Sequence, residues 1–245
     1  MITLDRRTGP AAALDLGIGA CAQVALLGAL GAGTGVGTVG LLAGLGYLVG
    51  LVMVLVGALH RARTRALGPA DRVTLARAVL VGAVTALVAG YAPAHAPLLV
   101  VIAAVALALD GVDGQVARRT GTVSDLGARF DMEVDAVLIL VLSAHVAGQL
   151  GPWVLAIGLM RYAFVLAGRA LPWLRGSLPP SYAAKTVAAV QGIVLIVASA
   201  QVLPHAVAVA LVALALAALC WSFGRSVILL GARRGATRTP QHAAP

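Results

Sequence analysis

Along the chain, long apolar runs alternate with short polar or basic breaks. Runs of roughly 18 to 22 apolar residues, the length that crosses a hydrocarbon core, fall near 11–31, 38–59, 73–92, 96–117, 130–149, 152–168, 183–202 and 206–230. They predict eight helices in an all-α, polytopic membrane bundle. The basic loop from His60 to Arg72 separates the first two runs, rich in Gly and Ala, from the remaining six. The expected organisation is therefore two additional N-terminal transmembrane helices (1–60), a basic cytoplasmic linker (61–72), a six-helix unit, and a disordered cytoplasmic tail (232–245) whose Pro, Thr and Gln show no apolar period.

Composition agrees with this pattern. The 245 residues are 60% hydrophobic and 11% charged, against about 25% charged in an ordinary soluble domain. The 18 Lys and Arg exceed the 9 Asp and Glu, for a net charge of +9. With the N-terminus placed in the cytoplasm, every basic residue falls on the cytoplasmic side or in a cytoplasmic half-span, whereas the opposite loops around 32–37, 91–97, 149–152 and 203–205 carry no charge. This bias predicts a multi-pass plasma-membrane protein with both termini in the cytoplasm. The basic residues lie between spans and not in one patch interleaved with aromatics, so membrane lipids, and not nucleic acid, are the expected contacts.

Several features lead to no chemistry. Cys21 and Cys220 sit far apart in apolar runs and read as small hydrophobes. Asp15 interrupts the first apolar run and a second follows directly, which argues against a cleavable signal. Gly35, Gly37 and Gly40 satisfy GxGxxG, but no strand precedes them and no suitable acid follows, so dinucleotide binding is not expected. The pairs Gly40/Gly44 and Gly46/Gly50 predict small faces for close helix packing. His60, His95, His145, His205 and His242 lack ligand spacing.

The informative stretch begins at Asp110. Asp110, Asp113, Asp131 and Asp135 place four carboxylates within 26 residues of an apolar sequence, and charge at membrane depth marks function. Asp110 and Asp113 are spaced i, i+3, and Asp131 and Asp135 i, i+4, so each pair shares a helix face. A hairpin of the fourth and fifth spans, turning on the cytoplasmic side, brings the two pairs to similar depth. Carboxylates without nearby His or Cys suit one or two hard cations, Mg²⁺ or Mn²⁺. Gly111 and Gly114 leave the helix backbone open to a ligand, and Arg118 offers a planar fork for phosphate. Together these features suggest a diphosphate. Glu133 points to another face, and Asp125 is expected to cap a helix.

The pattern Asp110-x-x-Asp113-Gly114-x-x-Ala117-Arg118, eight residues, Gly127-x-x-x-Asp131-x-x-x-Asp135 resembles the signature of the CDP-alcohol phosphotransferases, or CDP-alcohol phosphatidyltransferases. The resemblance covers the six-helix unit at about 69–231. It implies a membrane enzyme that moves a substituted phosphate from a CDP-linked donor, often CDP-diacylglycerol, to an alcohol and releases CMP. It further implies that Asp110, Asp113 and Asp131 bind divalent metal, two ions of Mg²⁺ or Mn²⁺, while Asp135 shares the metal site or serves as the base for the acceptor hydroxyl. Gly114, Ala117 and Arg118, with Gly127, would line the nucleotide site. The segment Asp71-Arg72-Val73-Thr74-Leu75-Ala76-Arg77 is similar to the family's Asn-x-x-Thr-x-x-Arg, with Asp71 where Asn is common, and brings Thr74 and Arg77 to the nucleotide side. A homodimer is a further expectation from the family.

Basic residues near the cytoplasmic ends of the last spans, Arg161, Arg169, Arg175, Lys185 and Arg225, bear on the acceptor. Arg161 and Arg225 lie inside apolar runs, which favours a place facing a cavity. With Lys185 they predict a phosphorylated polyol as acceptor, since choline prefers aromatic surroundings and only 4% of residues are aromatic. Lys185-Thr186 followed by Gln191 is similar to a segment of phosphatidylglycerophosphate synthases and favours glycerol 3-phosphate, with a phosphatidylinositol phosphate synthase-type acceptor as the alternative. Two rivals differ in class. A cation transporter needs polar groups on both sides of the midplane, and a non-catalytic relative would be marked by a lost aspartate, yet none is missing.

Overall fold

The computed structural model describes residues 10–62, 67–120, 124–171, 173 and 182–236. Within them the chain forms α1 (Pro10–Thr34), α2 (Thr38–Ala62), α3 (Pro69–Ala89), α4 (Ala96–Thr120), α5 (Asp125–Leu150), α6 (Leu155–Ala170), α7 (Tyr182–Ser199) and α8 (His205–Ala236). Short 3-10 turns at Pro93–His95 and Pro152–Val154 lead into α4 and α6, and no strand occurs among the described residues. Six helices are long and apolar enough to cross a membrane: α1, α2, α3, α4 with its preceding turn, α6 with its preceding turn, and α8. The apolar part of α7, Lys185–Ser199, is shorter, and α5 carries four acids in its first eleven residues. This is an all-α integral membrane protein. Residues 63–66 of the linker predicted at 61–72, and the tail from 237 onward, lie outside the described residues.

The fold divides after Leu142 into two compact units. In the first, α3 is the central helix and packs against α1, α2 and α4. About three-fifths of its apolar window (61%) is buried inside the protein, against 22% for α1 and 17% for α2. A helix that is apolar all round is satisfied by neighbours or by lipid; α3 has neighbours, and the outer two face mostly outward. The α3 start is set by Pro69 in the first turn and by the Asp71 carboxylate, which accepts a hydrogen bond from the Gly68 amide at 2.9 Å. Asp15 of α1 pairs with Arg72 of α3 at 3.2 Å. At the other end of α1, the Ala92 amide donates to His95 Nδ1 (3.3 Å), which leaves the Nε2 hydrogen to meet the Thr34 carbonyl at 3.0 Å.

Close approach of α2 to α3 needs the small residues predicted for it. A methyl on Gly40 would strike the Ala86 carbonyl oxygen and Val36, and one on Gly44 would press on Leu27 and Ala86. Gly46 and Gly50 do not pack this way. Space around both is open because they lie on a different face of the helix, so they form no second small-residue contact.

In the second unit α7 packs on α8, and α6 also meets α8. Gln191 is buried and its amide donates to the Ala215 carbonyl across this pair at 2.7 Å. Phe164 and Phe223 meet edge to face, with centroids 5.3 Å apart.

Candidate active site

Three helices of the first unit supply the site. Helix α4 carries Asp110, and α5 carries Asp131 and Asp135 one turn apart; one carboxylate oxygen from each lies within 4.8 Å of the others. Behind them stands Arg77 of α3. Its Nη1 donates to Asp110 Oδ1 and its Nη2 to Asp131 Oδ1. The same Nη2 reaches the Asp131 carbonyl at 3.2 Å and Asp135 Oδ1 at 3.3 Å.

The burial of the four side chains is one-sided. Arg77 is fully buried, whereas Asp110, Asp131 and Asp135 keep exposures of 38%, 34% and 41%. A guanidinium without water must be paired by protein, and its planar fork suits two carboxylates at once. Each acid thus turns one side to Arg77 and leaves the other open. Three carboxylates against one guanidinium leave two negative charges in excess. An all-oxygen donor set with that excess fits a hard divalent cation such as Mg²⁺ or Mn²⁺ better than a softer metal.

Of the other residues predicted here, Asp113, Gly114, Ala117 and Arg118 all lie on α4. Gly114 is half-buried, while the side chains of Asp113, Ala117 and Arg118 lie outside the described ones, as does that of Asp125. Thr74 is buried one turn before Arg77, and its hydroxyl donates to the Ala70 carbonyl at 3.2 Å. Arg77 was predicted for the nucleotide side; the structure places its guanidinium inside the acid cluster. Arg161, half-buried on α6, and Lys185 and Arg225, exposed on α7 and α8, belong to the second unit. Arg225 stacks over the Trp221 ring at 5.8 Å. Arg175 lies outside the described residues.

Two residues gain a part that the sequence did not suggest. Ser124, ahead of Asp125, caps α5: its hydroxyl accepts a hydrogen bond from the Gly127 amide at 2.9 Å. The signal was a serine immediately before the helix, three positions from an amide that needs an acceptor. Asp71, besides starting α3, is buried and lies so close to Gly127 that any side chain there would strike its Oδ1. Gly127 is accounted for by this contact between the starts of α3 and α5.

A family model described as CDP-alcohol phosphatidyltransferase matches residues 68–221. No curated protein and no solved structure matches the chain. The match begins at the residue ahead of α3 and ends within α8, leaving α1 and α2 outside it. It spans well over half of the chain and includes every helix that brings a residue to the acid cluster, so this membrane protein belongs to the CDP-alcohol phosphatidyltransferase family, whose members transfer a phosphatidyl group from a CDP-alcohol.

Proposed function

We propose that the protein makes a phospholipid by transferring the phosphatidyl group of CDP-diacylglycerol, or a related CDP-alcohol, to a phosphorylated polyol, glycerol 3-phosphate first among candidates, with release of CMP. The observation that carries this reading is the one-sided cluster: three carboxylates open on one side and held by a sealed guanidinium on the other. An inositol phosphate is the alternative acceptor. We further propose that the site and both termini face the cytoplasm of the plasma membrane, that the six helices from α3 onward form the catalytic unit, and that the chain acts as a homodimer.

Asp110, Asp113 and Asp131 would hold divalent cation, Mg²⁺ or Mn²⁺ and two ions in all, with Asp135 at its edge. Bound there, the metal would screen the diphosphate and the charge that builds on departing CMP. Asp135, one turn beyond Asp131, takes the proton of the acceptor hydroxyl. The freed oxygen forms a bond to the phosphorus that bears the diacylglycerol, and the bond from that phosphorus to the bridging oxygen of CMP breaks. Arg77 keeps Asp110 and Asp131 aimed at the same point through this change. Gly114, Ala117, Arg118 and Gly127, with Thr74, line the nucleotide side. Arg161, Lys185 and Arg225 are our candidates for the acceptor's phosphate on the ground of charge. The diacyl tails stay in lipid while the polar head enters the bundle, where polar groups at membrane depth are tolerated.

The test is CMP release from CDP-diacylglycerol by membranes containing the protein, with Mg²⁺ or Mn²⁺ and a panel of glycerol 3-phosphate, inositol phosphate, inositol and serine. Release with glycerol 3-phosphate, lost in Asp135→Asn, is the expected result. Silence with every acceptor would overturn the reading.

A further inference from the structure

The two N-terminal helices lie outside the family match, yet one of their side chains is directed at the catalytic helix. In α2, Gly40, Gly44 and Tyr47 recur at spacings of four and three, which places them on one face. The glycines hold that face against Ala86 of α3 and Gly90 just after it. Because the α1–α2 hairpin runs along α3 from Asp15–Arg72 at one end to Val36–Gly90 at the other, Tyr47 falls toward the half of α3 that bears Arg77.

Its hydroxyl is buried and makes no hydrogen bond, and it lies within electrostatic reach of the Arg77 charge. A buried hydroxyl without a partner is costly, and phenylalanine would fill the same space without that cost. The hydroxyl therefore calls for a partner in some state of the protein. Arg77 supplies one. Its guanidinium draws on Asp110 and Asp131, two of the carboxylates that gather where a cation would bind. When those carboxylates turn to a metal, a guanidinium with no exposure has no water to replace them.

We propose that Tyr47 is a positioning residue for Arg77: its hydroxyl accepts a hydrogen bond from the guanidinium as a divalent cation takes over Asp110 and Asp131. This rests on the metal-binding reading of the acid cluster given above. Helix α2 then serves the site directly, by easing the exchange of an internal cation for an external one.

The experiment measures Mn²⁺ binding by electron paramagnetic resonance to the full chain in lipid nanodiscs, for the unaltered protein, Tyr47→Phe, Arg77→Gln and the double variant. Tyr47→Phe is expected to weaken Mn²⁺ binding about tenfold, the worth of one hydrogen bond to a charged group, while the thermal midpoint in the absence of metal stays the same or rises, since the unpartnered hydroxyl is gone. In the Arg77→Gln background the same substitution is expected to leave Mn²⁺ affinity unchanged. Binding by Tyr47→Phe within twofold of the unaltered protein would overturn the proposal while leaving the metal site intact, and so would an equal loss in both backgrounds. Absence of Mn²⁺ binding by the unaltered protein would overturn the metal reading itself and Tyr47's part with it.

Discussion

Around Arg77 the first unit gathers full charges from three helices, whereas the second unit closes neutral groups, most of those described within one turn of one helix. Arg77 reaches Asp110 and Asp131, 33 and 54 positions away. In the second unit Ser199 donates to the Leu195 carbonyl at 2.7 Å and the Gln149 amide meets His145 at 2.9 Å, both four positions apart. Contacts that do cross between helices here are neutral as well: Gln191 of α7 donates to the Ala215 carbonyl of α8, and His145 of α5 meets the Ser199 backbone of α7. A neutral group in an apolar helix can be satisfied by the backbone carbonyl of the preceding turn. A charge cannot, and it forces distant helices together. The difference separates polar groups that complete a helix from those that build a site.

Removing Arg77 breaks this comparison most severely. Arg77→Gln strands three carboxylates that share one guanidinium; stranding a fully buried charge costs about 3–5 kcal/mol, and because water reaches these three acids the expected loss falls below that range. Thermal unfolding of the detergent-solubilised variant is expected to show that loss. Mn²⁺ is expected to recover more stability in the variant than in the unaltered protein, since it restores positive charge to the same carboxylates. An equal response of both proteins to Mn²⁺ would separate the metal site from Arg77.

Gly127→Ala probes the joint between α3 and α5. The added methyl strikes Asp71 Oδ1 and crowds Ser124 Oγ at 3.0 Å, an overpacking expected to cost about 1–3 kcal/mol. Shortening the neighbour in Asp71→Ala relieves the clash but removes the bond to the Gly68 amide, worth about 1 kcal/mol. The double variant is therefore expected to lose less stability than the sum of the two single losses. Strict additivity in a double-mutant cycle would mean that the two residues do not press on one another.

Gln191→Leu tests the neutral side. It removes one bond between α7 and α8, for an expected loss of about 0.6–1 kcal/mol, and CMP release is expected to stay as it is. A large fall in turnover at unchanged stability would bring Gln191 into the chemistry and erase the contrast between the two regions.

The helices and the three converging aspartates were legible because both depend on short-range patterns: apolar runs long enough to span a membrane, and acids three or four positions apart on the two arms of one short-turned hairpin. Arg77 was legible as the last residue of a segment similar to Asn-x-x-Thr-x-x-Arg, and from there only as a candidate for the nucleotide side. Its place inside the acid cluster depends on contacts 33 and 54 positions apart, which no local pattern encodes. The same holds for Asp71 against Gly127, a contact between two helix starts. Gly46 and Gly50 mislead for a related reason: spacing reveals that two small residues share a face, but only the packed structure reveals whether that face meets another helix or opens outward.

Arg225 is the mildest test, because it shares with Arg77 its residue type and its setting in an apolar run and shares nothing else. Arg77 has no exposure and is paired with carboxylates; Arg225 is exposed and lies over Trp221 at 5.8 Å. An exposed guanidinium on a ring remains available to an anion, and its stacking contributes little to folding. Arg225→Ala is expected to leave the unfolding midpoint nearly unchanged. Steady-state kinetics are expected to show a rise of less than about tenfold in KM for the phosphorylated acceptor, the loss of one solvent-screened charged contact, with KM for CDP-diacylglycerol unaltered. Trp221→Leu keeps the charge and removes its platform, so its effect on the acceptor is expected to be smaller still. A fall in stability without a change in acceptor KM would instead assign Arg225 to the packing of α8, and would leave Arg161 and Lys185 as the cations to test against the acceptor's phosphate.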